Sequence, residues 1–220
     1  MMHITIQNLI KIENEIKLNL NDLKVFNLPK IIAVSKTFKM DKILPLIEHG
    51  HLDFGENKIQ EAVDKWTDIK SKNSNIVLHM IGKLQTNKVK FAVKLFDYIH
   101  SVDSERLAKK IADEQKKINK KIKIFIQVNI GNEEQKTGIN KTEVSDLVLY
   151  CKKINLEVIG LMCLPPADNN SSFYFNEMNV LNNSFSFPEL SMGMSSDYIE
   201  ASKNSATFLR IGSSIFGERF

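Results

Sequence analysis

Much of what defines this 220-residue chain is what it has little of. Cysteine is scarce: Cys151 and Cys163 stand alone, with no CxxC spacing. Reduced thiols in or near a core are therefore expected, not a disulfide framework. No apolar run approaches the ~18 uninterrupted residues of a membrane helix. The opening MMHITIQNLIKIENEI mixes acids and amides into an amphipathic pattern unlike a signal peptide. These absences predict a cytoplasmic protein with no membrane partner. The 5 histidines are scattered singly, and His49 and His51, two apart, would share a face only of a strand. No cysteine or carboxylate stands at ligand spacing beside them, so no structural metal is expected. Charge of one sign is also scarce, with a net of +4. The densest basic run, KKINKKIKIF at 116–125, lacks the interleaved arginines and aromatics of a nucleic-acid surface. It reads as a solvated helix end leading into a strand, and no nucleic-acid partner is expected.

What the chain does have is alternation. Continuous apolar runs such as IIAVS from Ile31, IVLHMIG, YIHSV, KIFIQVNI and LEVIGLMCL alternate with amphipathic stretches such as KIQEAVDKW, SERLAKKIADEQKK and TEVSDLVLYCKK. Ser104 is placed to cap the SERLAKK helix. Uninterrupted apolar strands suit a parallel sheet covered by helices on its outer face. About eight strand-and-helix units are present, the number a closed (β/α)8 TIM barrel requires. That count favours the barrel over an open doubly wound sheet. No linker or repeat divides the sequence, so residues 1–220 are expected to form a single domain. Residues 4–20, with Ile6, Ile10, Ile12, Ile16 and Leu20 near helical spacing, predict an extra helix outside the barrel.

Active sites of such barrels lie at the carboxyl ends of the strands. Polar residues there are Lys36 after the first strand, Asn57 after the second, Lys83 and Gln85 after the third, and Asn129 near the end of the fifth. Ser191, Ser195 and Arg210 fall on or after the last two. A lysine at a buried strand end is desolvated, which lowers its pKa and frees the neutral amine to attack a carbonyl and form a Schiff base. A lysine snorkelling from the rim is the structural alternative. SMGMSSD and RIGSSIFGER each end a strand in glycine and serine and then enter a helix. Glycine permits close backbone approach, and serine hydroxyls and helix amides suit an anion. Phosphate sites in barrels usually follow strands seven and eight. Arg210, between apolar neighbours in FLRIG, needs an acceptor inside the barrel. A pyridine ring nitrogen and a buried carboxylate are both candidates.

The stretches AVSKT, DFGENKIQE, LHMIGKLQTNK, HSVDS, QVNIGNEEQKTGI, GLMCLPP, LSMGMSSDYIEA and LRIGSSIFGER run in order from residue 31 to the C-terminus. With them the chain resembles the pyridoxal phosphate (PLP) homeostasis protein family. That resemblance implies a free-standing barrel of the alanine racemase N-terminal type, with PLP as cofactor and Lys36 as its covalent Schiff-base partner. It implies a phosphate cup of Ser191, Gly193, Met194, Ser195, Gly212 and Ser213, with Arg210 at the pyridine nitrogen and Asn57 near the cofactor. Lys136 matches a lysine the family has been suggested to use in passing PLP on. The asparagine-rich ADNNSSFYFNEMNVLNNSFSF segment departs from the family pattern, on what should be the outer face.

Three functions follow. The first is a PLP carrier acting in vitamin B6 and amino-acid balance, with PLP-dependent apo-enzymes as acceptors, monomeric and without a catalytic residue. The second is an amino-acid racemase or other PLP enzyme. The third is a Schiff-base aldolase without PLP. Racemisation needs a base on each face of the substrate. Tyr98 opens a strand, while Tyr150, Tyr174 and Tyr198 read as helix residues, so the second base is wanting.

Overall fold

The computed structural model describes residues 2–21, 28–168 and 170–218. Eight parallel strands close into a barrel in chain order. They are β1 (Lys30–Val34), β2 (Asp53–Glu56), β3 (Val77–Met80), β4 (Tyr98–Val102), β5 (Lys123–Val128), β6 (Val158–Cys163), β7 (Glu189–Ser191) and β8 (Phe208–Ile211). β1 pairs with β8 in the register Lys30↔Phe208 to Ala33↔Ile211, which seals the cylinder. Among the described residues the helices are α1 (Ile4–Asn21), α2 (Met40–Glu48), α3 (Ile59–Lys72), α4 (Val89–Leu95), α5 (Glu105–Lys117), α6 (Val144–Lys153), α7 (Ser171–Ser184), α8 (Tyr198–Lys203) and α9 (Ser213–Phe216). None of them is long and apolar enough to cross a membrane.

Side-chain alternation along the strands explains both layers of the core. On β1, Ile31 and Ala33 join the large outer cluster under the helices, while Ile32 joins Phe125, Ile159, Met162 and Phe208 in a second cluster. That second cluster fills the barrel. The same parity carries Lys36 inward two residues beyond Val34, and carries Arg210 inward between Phe208 and Gly212. On β2 it aligns Asp53, Gly55 and Asn57, so Asp53 stands at the amino end of the barrel and Asn57 at the carboxyl end.

α1 packs outside the barrel against α2, α8 and α9. Its buried stripe is Thr5, Leu9, Ile12, Ile16 and Leu20, so the helix is rotated from the expected stripe: Leu9 replaces Ile10, and Ile6 is only half-buried. Asn8 Nδ2 donates to the Ile215 carbonyl at 3.0 Å, and the Tyr198 hydroxyl donates to Glu15, fastening this helix to the end of the barrel. Ser104 caps α5 as expected, accepting from the Leu107 N–H at 3.3 Å. His49 and His51 do not lie on a strand. His49 caps the carboxyl end of α2, and His51 sits in the following turn with its Nε2 2.9 Å from the Asp53 carbonyl.

Candidate functional site

The loop that carries Lys36 is clamped from behind. Ser35 is fully buried, and its hydroxyl donates to Glu56 Oε1 at 2.8 Å. The same oxygen accepts from Trp66 Nε1 at 2.9 Å and from Lys65 Nζ at 3.0 Å. Lys65 also donates to the Ser35 carbonyl and to Glu61 Oε1, each at 2.9 Å. Thr37 follows at φ 70°, in the left-handed region. For a β-branched residue that conformation costs about 1–3 kcal/mol. The Thr37 N–H donates to Glu61 Oε1 at 2.5 Å, which helps hold it. Burial pushes the Glu61 carboxyl up, but the bonds from Lys65 and Thr37 together outweigh it and leave its pKa lowered. Lys36 is thus presented from a turn with little freedom of its own.

At the carboxyl mouth of the barrel lies a cavity of about 450 Å³. It gathers Lys36, Asn57, Lys83, Met194, Ser195, Arg210, Gly212 and Ser213, all of them read as candidates from the sequence. Gln127, Thr137, Leu164 and Ser196 complete much of the wall. Asn57 Oδ1 is buried there without a hydrogen-bond partner among the described residues. A buried amide oxygen left unpaired is destabilising, so the position suits a donor brought by a ligand.

The loops after β7 and β8 are stitched into one cup. Ser195 Oγ accepts the N–H groups of Gly212 and Ser214, each at 3.3 Å, so two backbone amides already converge on one oxygen. Ser191 and Gly193 stand behind this cup and do not line it. Gly193 has φ +87°, and a Cβ there would lie 2.5 Å from Ala201 Cβ, so this glycine lets the loop pass close over α8. Its carbonyl accepts the Arg210 N–H at 2.9 Å.

Arg210 is 4% exposed, and burial lowers its pKa from the usual guanidinium range. Of the two acceptors expected for it, no carboxylate is found to bond it among the described residues. Nη1 donates to Ser191 Oγ at 2.6 Å and Nη2 to the Cys163 carbonyl at 2.8 Å. Ser191 Oγ in turn lies 2.8 Å from His100 Nδ1.

Two sequence candidates fall elsewhere. Gln85 precedes the short 3-10 turn Thr86–Lys88, and Asn129 staples its own loop through Glu133, at 2.8 and 3.1 Å. Lys136 sits on the rim, donating to the Pro165 carbonyl at 2.9 Å and pairing with Glu133 at 2.5 Å. Gln127 was missed, although a buried glutamine in the otherwise apolar KIFIQV was the signal for it. His79 and His100 carried the same signal in VLHM and YIHSV.

Fold and site together define a barrel of the alanine racemase kind: the family described as "Alanine racemase, N-terminal domain" matches residues 13–219. A pyridoxal phosphate homeostasis protein of Aquifex aeolicus is 36% identical over 203 residues, 88% of each chain. One from Pasteurella multocida is 33% identical over 225 residues, 97% of each. The chain belongs to the pyridoxal phosphate homeostasis protein family. The solved structure of PipY from Synechococcus elongatus PCC7942, with PLP bound, is 28% identical with a TM-score of 0.80, covering 92% of this chain and 100% of that one. The alanine racemase of Clostridium difficile 630, at 15% identity and a TM-score of 0.70, shares the fold over 57% of its length.

Proposed function

We propose that this chain, acting as a single domain over residues 1–220, binds PLP on Lys36 and serves in intracellular PLP homeostasis and amino-acid balance. The observation that carries the reading is one cavity in which a clamped lysine, a buried arginine and the β7 and β8 loops meet. PLP supplies an aldehyde that a neutral amine converts to a Schiff base with loss of water, and Lys36, which lines the same cavity as the cup, is the amine assigned to it. In the cup of Met194, Ser195, Gly212 and Ser213 the Ser195 and Ser213 hydroxyls suit the phosphate, and the Gly212 amide that donates to Ser195 Oγ at 3.3 Å can turn to it, with Ser191 and Gly193 supporting the cup from behind. Asn57, with its unpaired amide oxygen, suits a polar substituent of the ring. Arg210 suits the pyridine nitrogen. A permanent donor there leaves that nitrogen unprotonated and the ring a weak electron sink, which favours carriage over catalysis. Among the described residues no tyrosine lines the cavity. The protein acts as a cytoplasmic monomer that yields PLP to apo-enzymes, with Lys136 on the exit rim.

The test is the visible absorption spectrum of the purified protein beside a Lys36→Ala variant. A lysine-bound PLP band in the wild type that is lost in the variant supports the reading. No band after added PLP would sink it and leave the aldolase-like reading in front. Racemisation of L-alanine should match free PLP, and robust Lys36-dependent turnover would instead favour the racemase.

A further inference from the structure

A continuous hydrogen-bonded chain runs down the inside of the barrel from the cofactor mouth to the opposite one. It passes from Arg210 Nη1 to Ser191 Oγ at 2.6 Å, and from Ser191 Oγ to His100 Nδ1 at 2.8 Å. It continues from His100 Nε2 to His79 Nδ1 at 3.0 Å, and ends where His79 Nε2 meets Asp53 Oδ1 at 3.0 Å. Both histidines and Ser191 are fully enclosed. Asp53 opens β2 at the amino end of the barrel, beside an open pocket of about 370 Å³ that includes Lys30 and His51. By strand rise, at ~3.3 Å per residue, Asp53 stands about 13 Å from Asn57 at the cofactor end.

The ends of this chain fix its polarity. A carboxylate only accepts, so Asp53 requires the proton of neutral His79 to be on Nε2. The Nδ1 of His79 is then a lone pair, and His100 must donate to it from its own Nε2. The Nδ1 of His100 is left as a lone pair in turn, and the hydroxyl hydrogen of Ser191 points to it. Only the lone pairs of Ser191 remain for Arg210, whose guanidinium can only donate. Every link has a single allowed direction; Asp53 sets the two imidazoles and the Ser191 hydroxyl, and Arg210 can only donate. Packing supports the register: His79 stacks on Tyr98 with centroids 4.6 Å apart, and His100 on Phe125 at 4.3 Å.

We infer that Asp53 is a positioning residue for Arg210: from the far mouth of the barrel it sets the tautomers of His79 and His100 and so keeps the Ser191 hydroxyl donating to His100, with its lone pairs left to Arg210. This rests on the proposed function only in that Arg210 faces the bound cofactor; the relay itself belongs to the ligand-free protein. Without an acceptor at residue 53, the imidazoles can reverse, and His100 can present an N–H to Ser191, taking one of its two lone pairs and competing with Arg210 for the oxygen.

The experiment is long-range proton–nitrogen NMR of histidine-labelled, ligand-free full-length protein, comparing wild type with Asp53→Leu and Asp53→Asn. In the wild type, both buried imidazoles should be neutral with the proton on Nε2. Asp53→Leu should move proton density to Nδ1, whereas Asp53→Asn, whose amide oxygen still accepts, should restore the wild-type pattern. In the same variants PLP should dissociate from Asp53→Leu roughly tenfold faster or more, the scale of one charge-assisted hydrogen bond, and from Asp53→Asn at close to the wild-type rate. A wild-type His100 protonated on Nδ1 would overturn the inference even if the leucine variant does not fold, as would unchanged tautomers in a folded Asp53→Leu. If the wild type binds no PLP, the proposed function falls, while the nitrogen spectra still decide the relay.

Discussion

Mild acid should destabilise this protein through its two enclosed imidazoles. Burial holds His79 below the ordinary histidine value despite the opposing pull of Asp53. It holds His100 well below, with His79 and Arg210 adding to the effect. In the unfolded chain each returns to about 6.5. Between the folded and unfolded values only the unfolded chain binds the proton, so this stability is fully present above about pH 6.5 and is lost as pH falls below it. A histidine that stays neutral when folded contributes about 1.4 kcal/mol per pH unit, or about 2 kcal/mol between neutrality and pH 5. His100, held well below the ordinary value, removes up to about 2 kcal/mol, a sizeable share of the ~5–15 kcal/mol that holds a typical domain, and His79 adds to it in the same direction. His51, also lowered by burial, acts in the same direction. Asp53 does not interfere: its pKa is lowered, so its contribution is present above about 3.9 and is lost only below that. Burial raises the pKa of Asp103 and Asp197, which gives the opposite sign, but they are common to wild type and variant and cancel in the difference. Urea midpoints followed by emission of Trp66, the single tryptophan and fully buried, give the pH slope directly. His100→Phe keeps an aromatic ring against Phe125 but cannot titrate. It should reduce the slope below about pH 6.5 by up to about 1.4 kcal/mol per unit. A variant whose slope equals that of the wild type from about pH 7 to 5 would refute this reasoning.

Two further outcomes are expected. Gly193→Ala must hold φ +87° with its Cβ 2.5 Å from Ala201 Cβ and 2.9 Å from Leu209 Cδ2. It should lose about 2–4 kcal/mol, seen as a lower thermal midpoint, and an unchanged midpoint would contradict the packing described. The thiols of Cys151 and Cys163 are both pushed up to about 12, chiefly by burial. Ellman's reagent should therefore leave the native protein unlabelled and modify both thiols in denaturant, and rapid native labelling would show an open core.

The barrel was legible because its signal is local. Each apolar run is long enough to form one strand, and YIHSV maps onto β4 residue for residue. Lys36, Asn57, Arg210 and the two glycine-serine loops were legible because barrel geometry sends all strand ends to one mouth. The clamp behind Lys36 was not, since Glu56, Glu61, Lys65 and Trp66 look like ordinary residues at a strand end and on a helix face until α3 folds back. Nor was the histidine relay: His79, His100, Ser191 and Arg210 come from four strands, and only closure of the barrel brings them together. The stripe on α1 slipped because Leu9 and Ile10 are both apolar, and only the neighbouring helices decide which is buried.

Closure between β1 and β8 also orders events during synthesis. Lys36 emerges early, whereas Arg210 and Gly212 follow roughly 10–35 s later at the ~5–20 residues per second of a ribosome. Until they do, β1 is an unpaired edge and the relay lacks its last link. A nascent chain thus carries Lys36 long before the β7 and β8 loops can join it, and a stalled one offers an open strand to aggregation or to chaperones. The mouth that gathers Lys36 and Arg210 is thus a property of the finished polypeptide, formed only once β8 has closed on β1.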